Sequence, residues 1–270
     1  KCHISGENID LEYHQCLVRD FTDFTLPIEG AKQACDIYEN IYVQFTTDNN
    51  CSLYDVEKNE KIGDYEIESG HGNSCQFSRK FENPTDKYPL LYNSGWRDNY
   101  VYVNRIFDTG IELIRKYDLS EIEKFRHNCC IEPDGRYMYT LSYNEADTDD
   151  SPVNYSIFSV WDLTKSTLVE GKTYKPKLLS TKPIPIIEIQ QDMKFFNGRI
   201  YVTSGLLPYS VTRIFGLNTS GDIVTEIKGL PSYILNTEPE GIFFRYDKKA
   251  GRYRMIVMVA GGKMYEVLPN

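Results

Sequence analysis

Hydrophobic and polar positions along this 270-residue chain recur as a set of short strand-like runs. The first run in each set is a polar amide or acid, a small or compact residue, an apolar residue, and an aromatic or aliphatic one soon after. It reads Gln33-Ala34-Cys35-Asp36-Ile37, Asn73-Ser74-Cys75-Gln76-Phe77, Asn128-Cys129-Cys130-Ile131, Gln191-Asp192-Met193-Lys194-Phe195 and Glu240-Gly241-Ile242-Phe243-Phe244. The five starts are 40, 55, 63 and 49 residues apart, bracketing the ~40–50 residues of a four-stranded propeller blade.

A second run rich in Tyr, Val and Ile follows each first run: Ile41-Tyr42-Val43, Leu90-Leu91-Tyr92, Tyr137-Met138-Tyr139, Ile200-Tyr201-Val202 and Met255-Ile256-Val257. Pro133-Asp134-Gly135 and Asn197-Gly198 lie between first and second runs and are strong hairpin signals. A third run ends in a turn, as in Leu53-Tyr54-Asp55-Val56, Ile106-Phe107-Asp108, Val160-Trp161-Asp162-Leu163, Ile214-Phe215-Gly216-Leu217 and Met264-Tyr265-Glu266-Val267. Four of the five units continue into a fourth run.

The expected fold is therefore an all-β single β-propeller over 1–270, with blades at about 33–70, 71–125, 126–188, 189–236 and 237–270. Five blades are favoured, and a sixth can be fitted into the long units 73–127 or 128–190. The last unit stops after its third strand, and 1–32 contains a strand-like stretch, Gln15 to Phe24. That stretch is expected to complete the last blade and remove an open sheet edge. Tyr174 through Pro185, with three prolines, reads as a connector between blades, because Pro cannot donate to a ladder.

Composition supports the strands. Aromatics make up 13% with 21 Tyr, and there are only five Ala, so a helical bundle is excluded. The net charge of −9 and the lack of a strong basic cluster argue against a nucleic-acid partner. No apolar run reaches the ~18 residues of a membrane-spanning helix, so no transmembrane segment is expected. The seven Cys include no CxxC pair, which removes zinc-ribbon and thioredoxin-like motifs; most read as buried small side chains. The chain starts at Lys1, not Met, and a removed N-terminal segment carrying an export signal or lipid anchor is expected.

In a propeller the first strand of each blade lines the central channel. Gln33, Asn73, Asn128, Gln191 and Glu240 then form a polar ring at one rim, with His71, His127, Gln190 and Glu238 beside it. The simplest reading is that these groups bond backbone and channel water. A second is a cradle for hydroxyl-rich ligands such as sugars, since Asn and Gln both donate and accept, with Tyr92, Trp96 and Tyr209 available for stacking. A third is a Ca²⁺ or other divalent-cation site on Asn73, Asn128, Asp192 and Glu240 supporting hydrolysis. The acidic run Asp147, Asp149, Asp150 lacks the Gly and Glu of an EF-hand loop and reads as solvated. No nucleophile elbow, P-loop or dinucleotide fingerprint occurs.

His71-Gly72-Asn73, Tyr88-Pro89-Leu90-Leu91-Tyr92 and Tyr102-Val103-Asn104-Arg105-Ile106 resemble a bacterial propeller group that includes teichoic-acid-biosynthesis-type proteins and the propeller of a staphylococcal phage receptor-binding protein. Glu238-Pro239-Glu240-Gly241-Ile242 is similar to the same group and to wider TolB-like extracytoplasmic propellers. The resemblance covers about residues 33–270. It implies a five-bladed propeller, or six if the broader relatives are nearer, and no established reaction. It points to an extracytoplasmic binding module with a glycan or protein partner. Gluconolactonase-type propellers offer an enzymatic analogy: they hold a divalent cation with Glu, Asn, Asn and Asp, the composition of Glu240, Asn73, Asn128 and Asp192. Their blade order and strand context do not clearly match.

Overall fold

The computed structural model describes residues 4–5, 8–9, 16–24, 32–47, 49–69, 71–95, 97–123, 126–143, 155–185, 189–206 and 210–269. Strands β1 (Ile4–Ser5) and β2 (Asn8–Ile9) pair with each other, and β3 (Cys16–Asp20) follows. The next strands run as antiparallel meanders of four. The first comprises β4 (Lys32–Tyr38), β5 (Ile41–Thr46), β6 (Asn50–Asp55) and β7 (Glu60–Glu66). The second comprises β8 (Gly72–Phe77), β9 (Leu91–Gly95), β10 (Tyr100–Phe107) and β11 (Gly110–Asp118). The third comprises β12 (Arg126–Ile131), β13 (Tyr137–Tyr143), β14 (Tyr155–Glu170) and β15 (Thr173–Pro185). The fourth comprises β16 (Gln190–Phe196), β17 (Arg199–Leu206), β18 (Ser210–Leu217) and β19 (Ile223–Glu226). A short helix, α1 (Ser232–Leu235), leads into β20 (Pro239–Asp247), β21 (Arg252–Val259) and β22 (Lys263–Pro269).

The last three strands take their fourth from the other end of the chain. β3 pairs antiparallel with β22, Cys16 opposite Pro269 and Asp20 opposite Tyr265. Ion pairs built around the buried Glu266 and Arg254 hold this seam. Glu266 accepts from Arg19 and Arg254, and Asp23 accepts from Arg254 and faces Arg245. The N-terminal strand therefore closes the last sheet, as the sequence predicts.

The inner strands close a circle: β4 lies on β8, β8 on β12, β12 on β16, β16 on β20, and β20 back on β4. This closure makes the molecule a β-propeller. Its core is divided among the seams between meanders. Phe45, Leu53, Cys75 and Leu91 fill the first seam, and Leu90, Val103, Cys129 and Trp161 the second. Leu141, Phe158, Met193 and Val202 fill the third, Tyr201, Ile214, Ile242 and Val257 the fourth. Phe24, Tyr42, Phe243 and Ile256 fill the seam across the chain closure. Tyr, Val and Ile recur at these places because a half-buried pleated face favours aromatic and β-branched side chains.

Asn197 and Gly198 both have positive φ, 48° and 76°, as a two-residue hairpin turn of this type requires. The proline-rich stretch departs from expectation. Residues 173–185 form strand β15, not a connector. As the outer strand of its meander it has an edge where a missing N–H costs nothing; Pro176 falls at a register shift and Pro183 and Pro185 face Ile157 and Tyr155. At its tip β15 also pairs parallel with β11 at Thr173 and Tyr174, which joins the second and third meanders into one eight-stranded sheet.

Six cysteines are described, all buried and none in a disulfide. Burial raises their thiol pKa values, that of Cys129 up to about 12, so they behave as small apolar side chains. No helix among the described residues is long and apolar enough to cross a membrane.

Candidate functional site

Four of the five inner strands begin with an irregularity in pairing to their neighbour. The register shifts between Lys32 and Cys35, between Gly72 and Ser74, between Gln190 and Asp192, and between Pro239 and Gly241. Asn73, Gln191 and Glu240 are each the extra residue of such a bulge, and Gln33 lies within the fourth. β12 pairs with β13 without a shift. A bulge leaves one residue out of the ladder and re-aims its side chain, and bulges gather beside functional sites. In four of its five copies the polar-then-small signature in the sequence coincides with such a bulge, and Asn128-Cys129 carries it without one. Gly241 shows why a small residue follows: a Cβ there would lie 2.5 Å from Cys35 Sγ.

The polar side chains at this rim mostly satisfy one another across the seams. His71 Nε2 lies 2.7 Å from Gln33 Oε1. Asn73 donates to Asn128 Oδ1. Gln191 Nε2 donates to Glu238 Oε1 at 2.6 Å and to the Gly205 carbonyl at 3.0 Å. Gln190 donates to Ser156 Oγ at 2.9 Å. His127 sits deeper, 1% exposed, with its ring between Ser142 Oγ at 2.7 Å and Asn99 Oδ1 at 3.3 Å. It braces the second and third meanders.

Two buried atoms in the ring residues have no hydrogen-bond partner, Asn128 Nδ2 and Glu240 Oε2. Glu240 is 7% exposed. Burial, with the charge of Glu238 added, pushes its carboxyl up to about 8. Glu238 is also raised, by burial against the opposing bond from Gln191. An orphaned carboxyl and an orphaned amide donor are what a polar ligand would complete.

Further along the inner strands the channel is plugged. Asp192 accepts from Lys194 Nζ at 2.5 Å and from the backbone N–H groups of Met193 at 2.8 Å, Ile242 at 3.1 Å and Cys75 at 3.3 Å. Asp36 accepts from the Phe77 N–H at 2.7 Å. The Gln76 amide ties the second meander to the third and fourth, accepting from Ile131 and Phe195 and donating to the Phe195 carbonyl. Burial raises Asp192 to about 6 against the pull of Lys194, and Asp36 to about 7. Lys194, opposed by its own burial, is held charged by Asp192.

The four oxygen donors of the metal reading are therefore differently placed. Asp192 is engaged by an ammonium and three N–H groups, and Asn128 spends its oxygen on Asn73. As they stand, they fit a divalent cation poorly, and among the described residues no group of three His, Cys, Asp or Glu could hold a metal ion. Tyr92 is buried in the seam core and cannot stack at the rim. Trp96, Tyr209 and the acidic run Asp147, Asp149 and Asp150 lie outside the described residues.

No family model matches this chain, and no curated protein sequence matches it. Among solved structures it is similar to a glutaminyl cyclase from Myxococcus xanthus, with a TM-score of 0.61 and 9% identity over 95% of this chain and 97% of that one. It also aligns with the computationally designed Ika4 protein, TM-score 0.40 and 13% identity over 71% and 95% of the two chains. A third is the Cps50 (Swd1) β-propeller domain of Myceliophteria thermophila, TM-score 0.42 and 13% identity over 66% and 48%. The first likeness is one of fold alone, and the other two are too slight to build on.

Proposed function

We propose that the chain is an extracytoplasmic binding module that holds a glycan at the bulge-lined mouth of its channel. The observation that carries this reading is the set of buried, unpartnered polar atoms at the rim, Glu240 Oε2, Asn128 Nδ2 and Gln190 Oε1. The two motifs that resemble the bacterial propeller group, His71-Gly72-Asn73 and Glu238-Pro239-Glu240-Gly241-Ile242, both fall at this mouth. That resemblance is also what supports a location outside the cytoplasm.

The alternative is a divalent-metal-dependent hydrolase at the same mouth. It draws on the presence of a glutaminyl cyclase among proteins of this fold and on the near-neutral carboxyl of Glu240, a useful acid–base group. It is the weaker reading because Asp192 and Asn128 are engaged elsewhere.

A glycan array tests the binding reading. The wild-type chain should retain at least one polysaccharide, and Glu240→Ala or His71→Ala should weaken that retention at least tenfold. A wild-type chain that retains no glycan would refute it.

A further inference from the structure

Six acids among the described residues are buried: Asp36, Asp55, Asp162, Asp192, Glu240 and Glu266. Five of them have a basic side chain or a backbone N–H group in place. Asp36 has the Phe77 N–H, and Asp55 has Lys58 with the N–H groups of Glu57 and Lys58. Asp162 has Arg136 and Lys165, Asp192 has Lys194, and Glu266 has Arg19 and Arg254. Glu240 alone has neither, and the charge that acts on it is that of another carboxylate, Glu238.

A carboxyl taken out of water ionises in a folded protein when a cation pairs with it, and otherwise keeps its proton. We propose that what pairs with Glu240 is a ligand ammonium group, and that the glycan bound at the mouth carries free, unacetylated amino sugars. This deepens the binding reading above and rests on it.

The chemistry around Glu240 fits that group. An ammonium has three donors and no acceptor, so it suits two carboxylates and gains nothing from further amide donors. Gln191 fixes one oxygen of Glu238 at 2.6 Å and is itself fixed by the Gly205 carbonyl at 3.0 Å, which holds the second carboxylate in position beside the first. Among the described residues no Lys, Arg or His forms an ion pair with Glu238 or Glu240. The chain's net charge of −9 would speed the approach of a polycationic glycan. Ca²⁺ would also be drawn to two carboxylates, but it takes six to eight oxygen ligands, and Asp192 and the Asn128 oxygen are committed.

The test is calorimetric titration of the full chain with four probes: a glucosamine oligomer, its fully N-acetylated counterpart, calcium chloride alone, and a simple alkylamine. The glucosamine oligomer should bind at least tenfold more tightly than the acetylated one. Glu240→Gln should remove that preference while melting at or above the wild-type temperature, since it replaces an unpaired acid by a neutral isostere. Glu238→Gln should weaken the same binding by a smaller factor. Equal binding of both oligomers would overturn the amine assignment and leave the glycan reading standing. Binding of neither would remove both. Calcium binding lost in Glu240→Gln, without amine preference, would assign the pair to a cation. Alkylamine binding as tight as the oligomer's would show that no sugar is recognised.

Discussion

Lys194→Met would empty the channel plug of its only described ammonium partner for Asp192. Lys194 and Asp192 are 1% and 0% exposed, and their atoms are 2.5 Å apart. Removing one partner of a buried pair costs about 3–5 kcal/mol. Three backbone N–H groups stay on Asp192, which places the expected cost near the lower figure, about 3 kcal/mol. At roughly 2–4 °C per kcal/mol for a chain of this size, the thermal midpoint should fall by about 6–12 °C. The loss should depend on pH. Burial raises Asp36 to about 7 and Asp192 to about 6, above their ordinary value. An acid raised in the folded state keeps its proton longer there, so its contribution favours folding at low pH and is lost as pH rises through the folded value. Without Lys194 both acids climb further. The deficit should be widest at pH 8 and narrow at pH 5, where both carboxyls are protonated. Scanning calorimetry of both proteins at the two pH values measures this. A midpoint drop below about 2 °C at pH 8, or an equal drop at both pH values, would refute the idea that the ion pair fills the plug.

Other expectations follow from the same geometry. Glu240→Gln should raise the thermal midpoint at pH 9 and leave it nearly unchanged at pH 4, because the wild-type carboxyl, raised by burial to about 8, loses its favourable contribution as pH rises past that value; an unchanged midpoint at pH 9 would contradict this. Arg254→Met leaves Asp23 and the buried Glu266 without their shared cation, so about 3 kcal/mol should be lost and limited proteolysis should release the N-terminal strand first; uniform cleavage would count against β3 as the weakest seam. Gly241→Ala puts a Cβ 2.5 Å from Cys35 Sγ, an overpacking worth about 1–3 kcal/mol, and Cys35→Ala should relieve it in the double variant. An additive double variant, read by urea unfolding, would show that the two strands do not meet there.

The repeat was legible because each strand keeps one face against its neighbours, and a period of two survives in the residues themselves. Asn197-Gly198 and the closing strand at Cys16–Asp20 could be read in the same way, one from turn chemistry and one from an unpaired last strand. The prolines of β15 misled, since whether a strand is an edge is a property of the whole sheet. The rim residues were legible as a list, because a polar residue in front of a small one recurs at each inner strand. The partners were not, as His71 meets Gln33 and Gln191 meets Glu238 across 38 and 47 residues of chain.

By itself the sequence determined a β-rich, alanine-poor chain of repeated four-strand units with polar residues at the head of each inner strand. Those properties are local, set by periodicity, propensity and turn chemistry. Only the tertiary structure decided which polar groups were spent. Closing the circle brought strands from distant parts of the chain to hydrogen-bonding distance. It consumed Asp192 in an ion pair and His127 in a seam, and left Glu240 buried with no partner. A carboxylate's role depends on what stands opposite it, and here that neighbour comes from another blade.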